Sequence, residues 1–355
     1  MNLKRTWEQW SNWELWPMRV RYFPIIPCWF WYCLRARSFW FFTPSNPTLT
    51  FGGFEGENKK EMYEQLPSES YPKTIFIHPQ QSFEEVKQQV LQHQFSFPFV
   101  VKPDIGMSGI LFRIIENVDQ LQNYHGQMKV EYMVQERVNY PEEFSVFYYR
   151  FPYMSKGVIT GFLRKELLSV TGDGKSTLGE LVLQHPTAKH RYEEMYQRHL
   201  KYINKIIPAG EKYFLSDAAN FNRGGRFVNL KREIDASLLY VFDELNKHSK
   251  GFYYGRYDLK AASLEDLKKG INFSILEYNG SGAEPNHIYQ SGYSLFEAYA
   301  EILYHWKVLY QISKYNHENG IPYWPFLKGL HFIRKSRQHF RALKKYDLQL
   351  NLYKS

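Results

Sequence analysis

Apolar and polar residues alternate in short runs through the middle of the chain and recur at helical spacing towards its end. The alternating runs predict strands at 74–77, 99–101, 110–113, 130–136, 144–149, 159–166, 253–260 and 273–280. Ser82 and Glu85 form a capping-box pair, so a helix is expected from there to about His93, and a shorter one from Lys59 towards Leu66. Residues 295–315 read as a helix. Residues 328–345 read as a basic amphipathic helix with seven Lys or Arg and no acid.

Composition changes this picture mainly at the front of the chain. Seven of the nine tryptophans (Trp7, Trp10, Trp13, Trp16, Trp29, Trp31 and Trp40) fall within the first 40 of 355 residues. The first four are spaced by three, along one drifting face of a short helix ending at Pro17. Residues 22–34 are uncharged but interrupted by Pro24 and Pro27, and they do not match a secretory signal, so no export is expected. Two readings of this front end stay open: aromatics packed on the main domain or a second subunit, or a membrane-interface segment. A bulky substrate pocket is a third. Elsewhere, hydrophobic content of 44% excludes intrinsic disorder, and two cysteines exclude a disulfide scaffold or zinc ribbon. No uncharged apolar run reaches transmembrane length. The formal charge is +9.

Candidate chemistry begins at Lys102, delivered by the 99–101 strand to a small-residue turn at 103–109, an arrangement suited to an anion. Neither the GxxxxGK[ST] nor the GxGxxG fingerprint is present; Gly174-Lys175-Ser176 lacks the leading glycine five positions before it. Period-two geometry puts Arg256 with Asp258 on one strand face, and Glu277 with Asn279 on another. If these strands pair, Asp258, Glu277 and Asn279 form an all-oxygen cluster for magnesium or manganese held jointly with phosphates. The alternative is a salt bridge from Arg256 to Asp258 or Glu277.

These segments together resemble the ATP-grasp superfamily over residues 57–292, most of all the D-alanine–D-alanine ligase and cyanophycin-synthetase-like branches. The Phe-Val-Val-Lys-Pro segment at 99–103, residues 135–144, Arg256-x-Asp258 and Glu277-x-Asn279 carry the resemblance. It implies an α/β (α+β) fold of ATP-grasp type with nucleotide between two α+β subdomains. The expected division is an aromatic segment at 1–56, a linker and first part of the core at 57–98, the core at 99–292, and a basic helical extension at 293–355.

By the same resemblance, Lys102 contacts ATP phosphates under a lid formed by Gly106, Ser108 and Gly109, and Lys59 lies on the adenine side. Glu136, Arg137 and Val138 form the adenine hinge, and Glu143 holds the ribose. Arg164 or Lys165 reaches a phosphate, register deciding which. Arg256 stabilises the tetrahedral intermediate, and Asp258, Glu277 and Asn279 bind two Mg2+ (or Mn2+) ions. The 220–226 loop covers phosphates or substrate, and Ser281, Pro285 and His287 shape the second-substrate pocket. The implied reaction joins a small-molecule carboxylate to an amine through an acylphosphate, converting ATP to ADP and phosphate. The competing reading is a non-catalytic anion-binding or peripheral-membrane protein that keeps the fold. Nucleic acid is not an expected partner, since no RNP or zinc-knuckle pattern is visible. A cytoplasmic protein, peripheral on an anionic inner membrane face or homo-oligomeric, completes the expectation.

Overall fold

The computed structural model describes residues 11–106, 109–216 and 225–352; Trp7, Trp10, Ser108 and positions 220–224 lie outside them. The helices that position the site are, in chain order, α1 (Ile26–Ala36), α2 (Lys59–Tyr63), α3 (Phe83–Gln92), α4 (Val118–Gln127), α5 (Ala236–His248), α6 (Leu295–Glu318) and α7 (Phe326–Leu352). Strands β1 (Thr74–Ile77), β2 (Phe99–Pro103), β3 (Arg113–Ile115) and β4 (Tyr132–Glu136) form an antiparallel sheet in the order β1-β4-β2-β3. β5 (Glu142–Tyr149), β6 (Val158–Glu166), β9 (Arg226–Asn229), β10 (Tyr254–Ala261) and β11 (Phe273–Asn279) form a second, in the order β11-β10-β5-β6-β9. A two-stranded ribbon of β7 (Ser169–Thr171) and β8 (Lys212–Phe214) packs with the helix Leu178–Gln184 as a small satellite unit. The architecture is mixed α/β.

Each sheet buries one face under helices. In the first, Ile75, Ile77, Phe99, Val101, Tyr132 and Val134 pack on Val86 and Val90 of α3 and Leu121 of α4. Here α3 starts where Ser82 accepts from the Glu85 amide (3.3 Å) and Glu85 accepts from the Ser82 amide (2.7 Å). In the second, Phe144, Val146, Phe162, Tyr257, Leu259 and Tyr278 pack on Leu238, Phe242 and Leu245 of α5. Alternation then leaves the opposite face of the second sheet for other work.

That opposite face is divided. Towards one end Phe147, Tyr149 and Tyr254 join Phe41, Phe42, Phe51 and the α6 residues Leu309 and Ile312 in an aromatic core. Most of the front-end aromatics described here are therefore core: Trp29 lies 4.7 Å from Phe41 and 5.1 Å from Trp306, and Trp40 is buried. In the described part of the stripe read as one helix, Asn12 is extended and Trp13–Leu15 form a single 3-10 turn, whereas the proline-interrupted stretch forms α1. Pro27 stands in the first turn of α1, where its missing N–H leaves no hydrogen bond broken. The basic C-terminal helix also packs: Phe332 and Ile333 of α7 reach the aromatic core, and Phe340 and Leu343 reach the core of the first sheet.

Candidate active site

Cross-strand register assembles the polar half of the second sheet. Asp258 on β10 stands opposite Glu277 on β11 and Ser145 on β5, and Arg256 stands opposite Asn279. Glu143 on β5 stands opposite both Lys260 on β10 and Lys165 on β6. Directly paired residues project to the same side, so all these side chains share the face left uncovered by α5. Arg164 stands opposite Phe144 and so points to the other face, where it meets Glu142 (3.7 Å) and Glu166 (3.3 Å). Register thus puts Lys165, and not Arg164, beside Glu143 and Asp258.

Asp258 is the hub. Its Oδ1 lies 2.9 Å from Lys165 Nζ and accepts from Ser145 Oγ (2.8 Å) and Arg256 Nε (3.2 Å). Its Oδ2 accepts from Arg256 Nη2 (3.1 Å) and Asn279 Nδ2 (3.3 Å). Burial works against the charge, but Arg256 and Lys165 outweigh it and hold the carboxyl well below the usual carboxylate range. The Arg256–Asp258 ion pair is therefore formed, and it coexists with the gathering of Asp258, Glu277 and Asn279. Glu143, 3.6 Å from Lys165, is shifted the other way: burial raises it despite the lysine.

The first sheet contributes cations. Lys102 stands opposite Met133, which in turn stands opposite Phe76, and both neighbours pack on the core of the second sheet, so Lys102 projects towards that sheet. Burial, and then the charge of Lys59, push the Lys102 ammonium down to about 8, with Glu277 opposing. Lys59, at the start of α2, lies 3.7 Å from Glu277 and donates to the carbonyls of Gly106 (3.1 Å) and Asp104 (3.4 Å). It thereby seats the base of the turn after β2. Gly109 stands at φ 70°. Glu57, beside Lys59 and Glu277, is pushed up by burial to about 7.

Glu136 ends β4, and Arg137 and Val138 begin the crossing from the first sheet to the second, where Lys260 Nζ donates to the Val138 carbonyl (3.5 Å). The glycine-rich patch anchors the far end of β11. Gly53, at φ 69°, approaches Gly280 so closely that a Cβ would fall 2.9 Å from its Cα. The amides of Ser281 and Gly282 donate to the carbonyls of Gly52 (3.0 Å) and Gly53 (3.2 Å).

Beyond β11 the chain's own front end builds a wall. Arg256 Nη1 donates to the Glu284 carbonyl (3.2 Å), while the Glu284 carboxylate accepts from Tyr22 (2.6 Å) and from Tyr289. Arg21 donates to the Tyr289 hydroxyl (2.5 Å) and lies over its ring. His287 is 2% exposed and bonded to Glu301, and Ser281 and Asn286 are also buried. A cavity of about 640 Å³ opens past the end of β6, lined in part by Glu166, His185, Lys212, Arg226 and Gln290.

The oxygen cluster fits a hard divalent cation. Asn279 turns its amide nitrogen to Asp258 and so its oxygen away, and the Glu277 side chain is 39% exposed with Lys59 no closer than 3.7 Å. Two of the three donors thus keep an oxygen available for a cation shared with phosphates. Sequence reasoning missed Ser145, Glu57, Glu284 and Asn286. Period two along β5 could have found Ser145, which shares a face with Glu143; the others needed the tertiary fold.

No family model matches the chain. Over 206 residues, 54% of this chain and 26% of the relative, it is 25% identical to the glutathione biosynthesis bifunctional protein GshAB of Clostridium perfringens. One solved structure it is similar to is that of the ATP-grasp ligase PsnB, with 13% identity and a TM-score of 0.39 over 70% of this chain and 60% of that one. Among solved structures it is similar to a bifunctional glutathione synthetase from Pasteurella multocida, with 17% identity and a TM-score of 0.43 over 69% of this chain and 35% of that one. It is also similar to D-alanine–D-alanine ligase from Bacillus anthracis, with 16% identity and a TM-score of 0.42 over 74% of this chain and 69% of that one. The chain spans about a quarter of the length of the curated relative it matches.

Proposed function

We propose that the protein is an ATP-dependent carboxylate–amine ligase of the ATP-grasp type. One observation carries the reading: Asp258, Glu277, Asn279, Arg256 and Lys165 share a face of the second sheet, with Lys102 brought near Glu277 from the first sheet and Lys59 from the start of α2. Carboxylates gathered with that many cations suit a polyanion bound with metal better than they suit packing. ATP would lie between the sheets, its adenine at Glu136, Arg137 and Val138, its ribose at Glu143, and its phosphates at Lys102, Lys165 and the Gly106–Gly109 turn. Asp258, Glu277 and Asn279 would hold one or two Mg2+ ions, which neutralise phosphate charge when bound.

In the proposed reaction a substrate carboxylate oxygen attacks the terminal phosphorus, and the bond to ADP breaks. An amine then attacks the acyl carbon, phosphate leaves, and the amine gives up a proton. Arg256, fixed by Asp258 and the Glu284 carbonyl, is placed to stabilise the oxyanion of the second step. Hydroxylamine, standing in for the amine, is expected to trap the acylphosphate as a hydroxamate with Mg2+-dependent ADP release across a panel of carboxylates. Absence of both ADP release and nucleotide binding across the panel would leave the non-catalytic reading.

A second element of the proposal concerns location. No helix among the described residues is long and apolar enough to cross a membrane. Yet α1 is apolar on both sides: Trp29 and Cys33 face the core, while Phe30, Trp31 and Leu34 are 46%, 58% and 72% exposed. Arg35 and Arg37 flank this outer side, which suits an anionic bilayer rather than a neutral one. The protein is expected to float with phosphatidylcholine vesicles containing phosphatidylserine, and the Leu34→Glu/Trp31→Glu double variant to remain at the bottom of the gradient. Wild-type protein that fails to float would sink this element and leave the ligase reading untouched.

A further inference from the structure

Two imidazoles and a carboxylate meet in the protein with no part in the proposed reaction. His287 lies in the 3-10 turn Asn286–Ile288, and Glu301 and His305 lie one turn apart on α6. Glu301 Oε1 is 3.0 Å from His287 Nε2 and 3.2 Å from His305 Nε2, and the donor atoms all fall within 4.8 Å of one another. We infer that His287, Glu301 and His305 form a binding site for a zinc-class divalent cation, which clamps the turn after β11 to α6.

The spacing suits the ion. Metal bonds of about 2.0–2.1 Å to nitrogen and oxygen in a tetrahedron put the ligand atoms about 3.3 Å apart, close to the two separations seen here. Residues at i and i+4 on a helix project side by side, so Glu301 and His305 need no distortion to share an ion. The donor set also selects the metal. Two imidazoles with one carboxylate suit zinc and its neighbours, in contrast to the oxygen-only set at Asp258. Around the ligands, the Tyr254 hydroxyl lies 3.3 Å from His305 Nδ1 and can accept its proton, turning the Nε2 lone pair towards the site. His287 Nδ1, buried and without a hydrogen-bond partner, leaves that ring free to carry its proton there and present Nε2 to metal. Both histidines are at most 2% exposed, whereas the Glu301 side chain is 23% exposed and leaves access for the ion and a water ligand.

The site has mechanical consequences. The His287 ring lies against Gly161, where a Cβ would come within 2.1 Å of Nδ1, and the His305 ring packs 4.3 Å from Phe147. Gly161, Phe147, Arg256 and Asn279 form one cross-strand row, so the clamp sits on the face that carries the oxygen cluster. It would hold the segment in which the Glu284 carbonyl takes the Arg256 proton donor and Asn286 donates to Ser145 Oγ (3.1 Å). The three residues are thus positioning residues, and the inference stands whether or not the ligase reading does.

Chelator-treated full-length protein, given one equivalent of Zn2+ and passed through gel filtration, is expected to retain one zinc per chain and to melt at a higher temperature. Co2+ in its place should give the visible absorption of a tetrahedral nitrogen–oxygen site. Glu301→Gln keeps the size of the side chain, and with His305→Ala it should weaken zinc binding by more than the roughly 10–100-fold cost of losing an outer-shell partner. Glu277→Gln, in the oxygen cluster, should retain zinc. A wild-type protein that retains none, or Glu301→Gln and His305→Ala proteins that retain as much as wild type, would overturn the site and leave one carboxylate oxygen shared by two imidazole N–H donors.

Discussion

Asp258→Ala is expected to abolish Mg2+-dependent ADP formation and also to destabilise the protein by about 3–5 kcal/mol, the cost of breaking a buried ion pair by removing one partner. Two cations, Lys165 at 2.9 Å and Arg256 at 3.1 Å, depend on this one carboxylate, and each would be left buried with its main counter-charge gone. Denaturant unfolding measures the loss of stability, and coupled ADP detection measures the loss of turnover. Glu277→Gln separates the two effects. Its side chain is 39% exposed and its only ion pair among the described residues is with Lys59, so stability should stay near wild type. Turnover should nevertheless fall by about 10²–10³-fold, the scale of losing one preorganised electrostatic contact. Wild-type ADP release from both variants would sink the metal assignment, and unchanged stability of Asp258→Ala would remove Asp258 as the electrostatic hub.

Lys102→Met is expected to reduce kcat/KM for ATP by about 10²-fold or more while leaving the fold intact. The reason lies in the same burial that places the ammonium. Burial and the neighbouring Lys59 hold Lys102 at about 8, below its ordinary 10.5. In the reaction, affinity for ATP should therefore decline as pH rises through about 8, where the ammonium loses its proton. Lys102→Arg should remove that alkaline decline because arginine stays charged. For stability the sign is reversed. Between about 8 and 10.5 the unfolded chain binds more protons at this residue than the folded one, so this group's contribution to stability rises with pH across that window. Lys102→Met should lack that rise in denaturant titrations at the two ends of the window. An alkaline decline in ATP affinity that survives in Lys102→Arg would assign it to another group.

Much of the secondary structure was legible because short strands with one buried face alternate, and Ser82 with Glu85 announces a helix start. The predicted strand at 110–113 falls two to three residues early: residues 109–111 form a turn, and pairing with Phe99–Val101 begins only at Arg113. The proline-interrupted stretch at 22–34 gave no helix signal, yet it forms α1 because Pro27 falls where a helix tolerates it. Aromatic spacing by three suggested a helix running to Pro17; among the described residues Trp13–Leu15 is a single 3-10 turn, with the Trp13 ring on Tyr289 and its indole N–H donating to the Tyr293 carbonyl.

What the sequence determined by itself was the pairing chemistry of Arg256, Asp258, Glu277 and Asn279, since two adjacent strands with period two leave few ways to bury those charges. It also placed Lys102 at a strand end. The choice between Lys165 and Arg164 belonged to the tertiary structure, because a one-residue difference in register reverses the face and no local signal sets it. The same holds for the wall of Arg21, Tyr22, Glu284 and Tyr289 and for the His287–Glu301–His305 cluster. Tyr22 and Glu284 meet across 262 positions of sequence. Contacts of that range arise from how sheets and helices pack, and residue spacing along the chain carries no record of them. The aromatic excess at the front of the chain is in this light two things: an inner side completing the core behind Arg256, and an outer side of α1 still open to a partner surface.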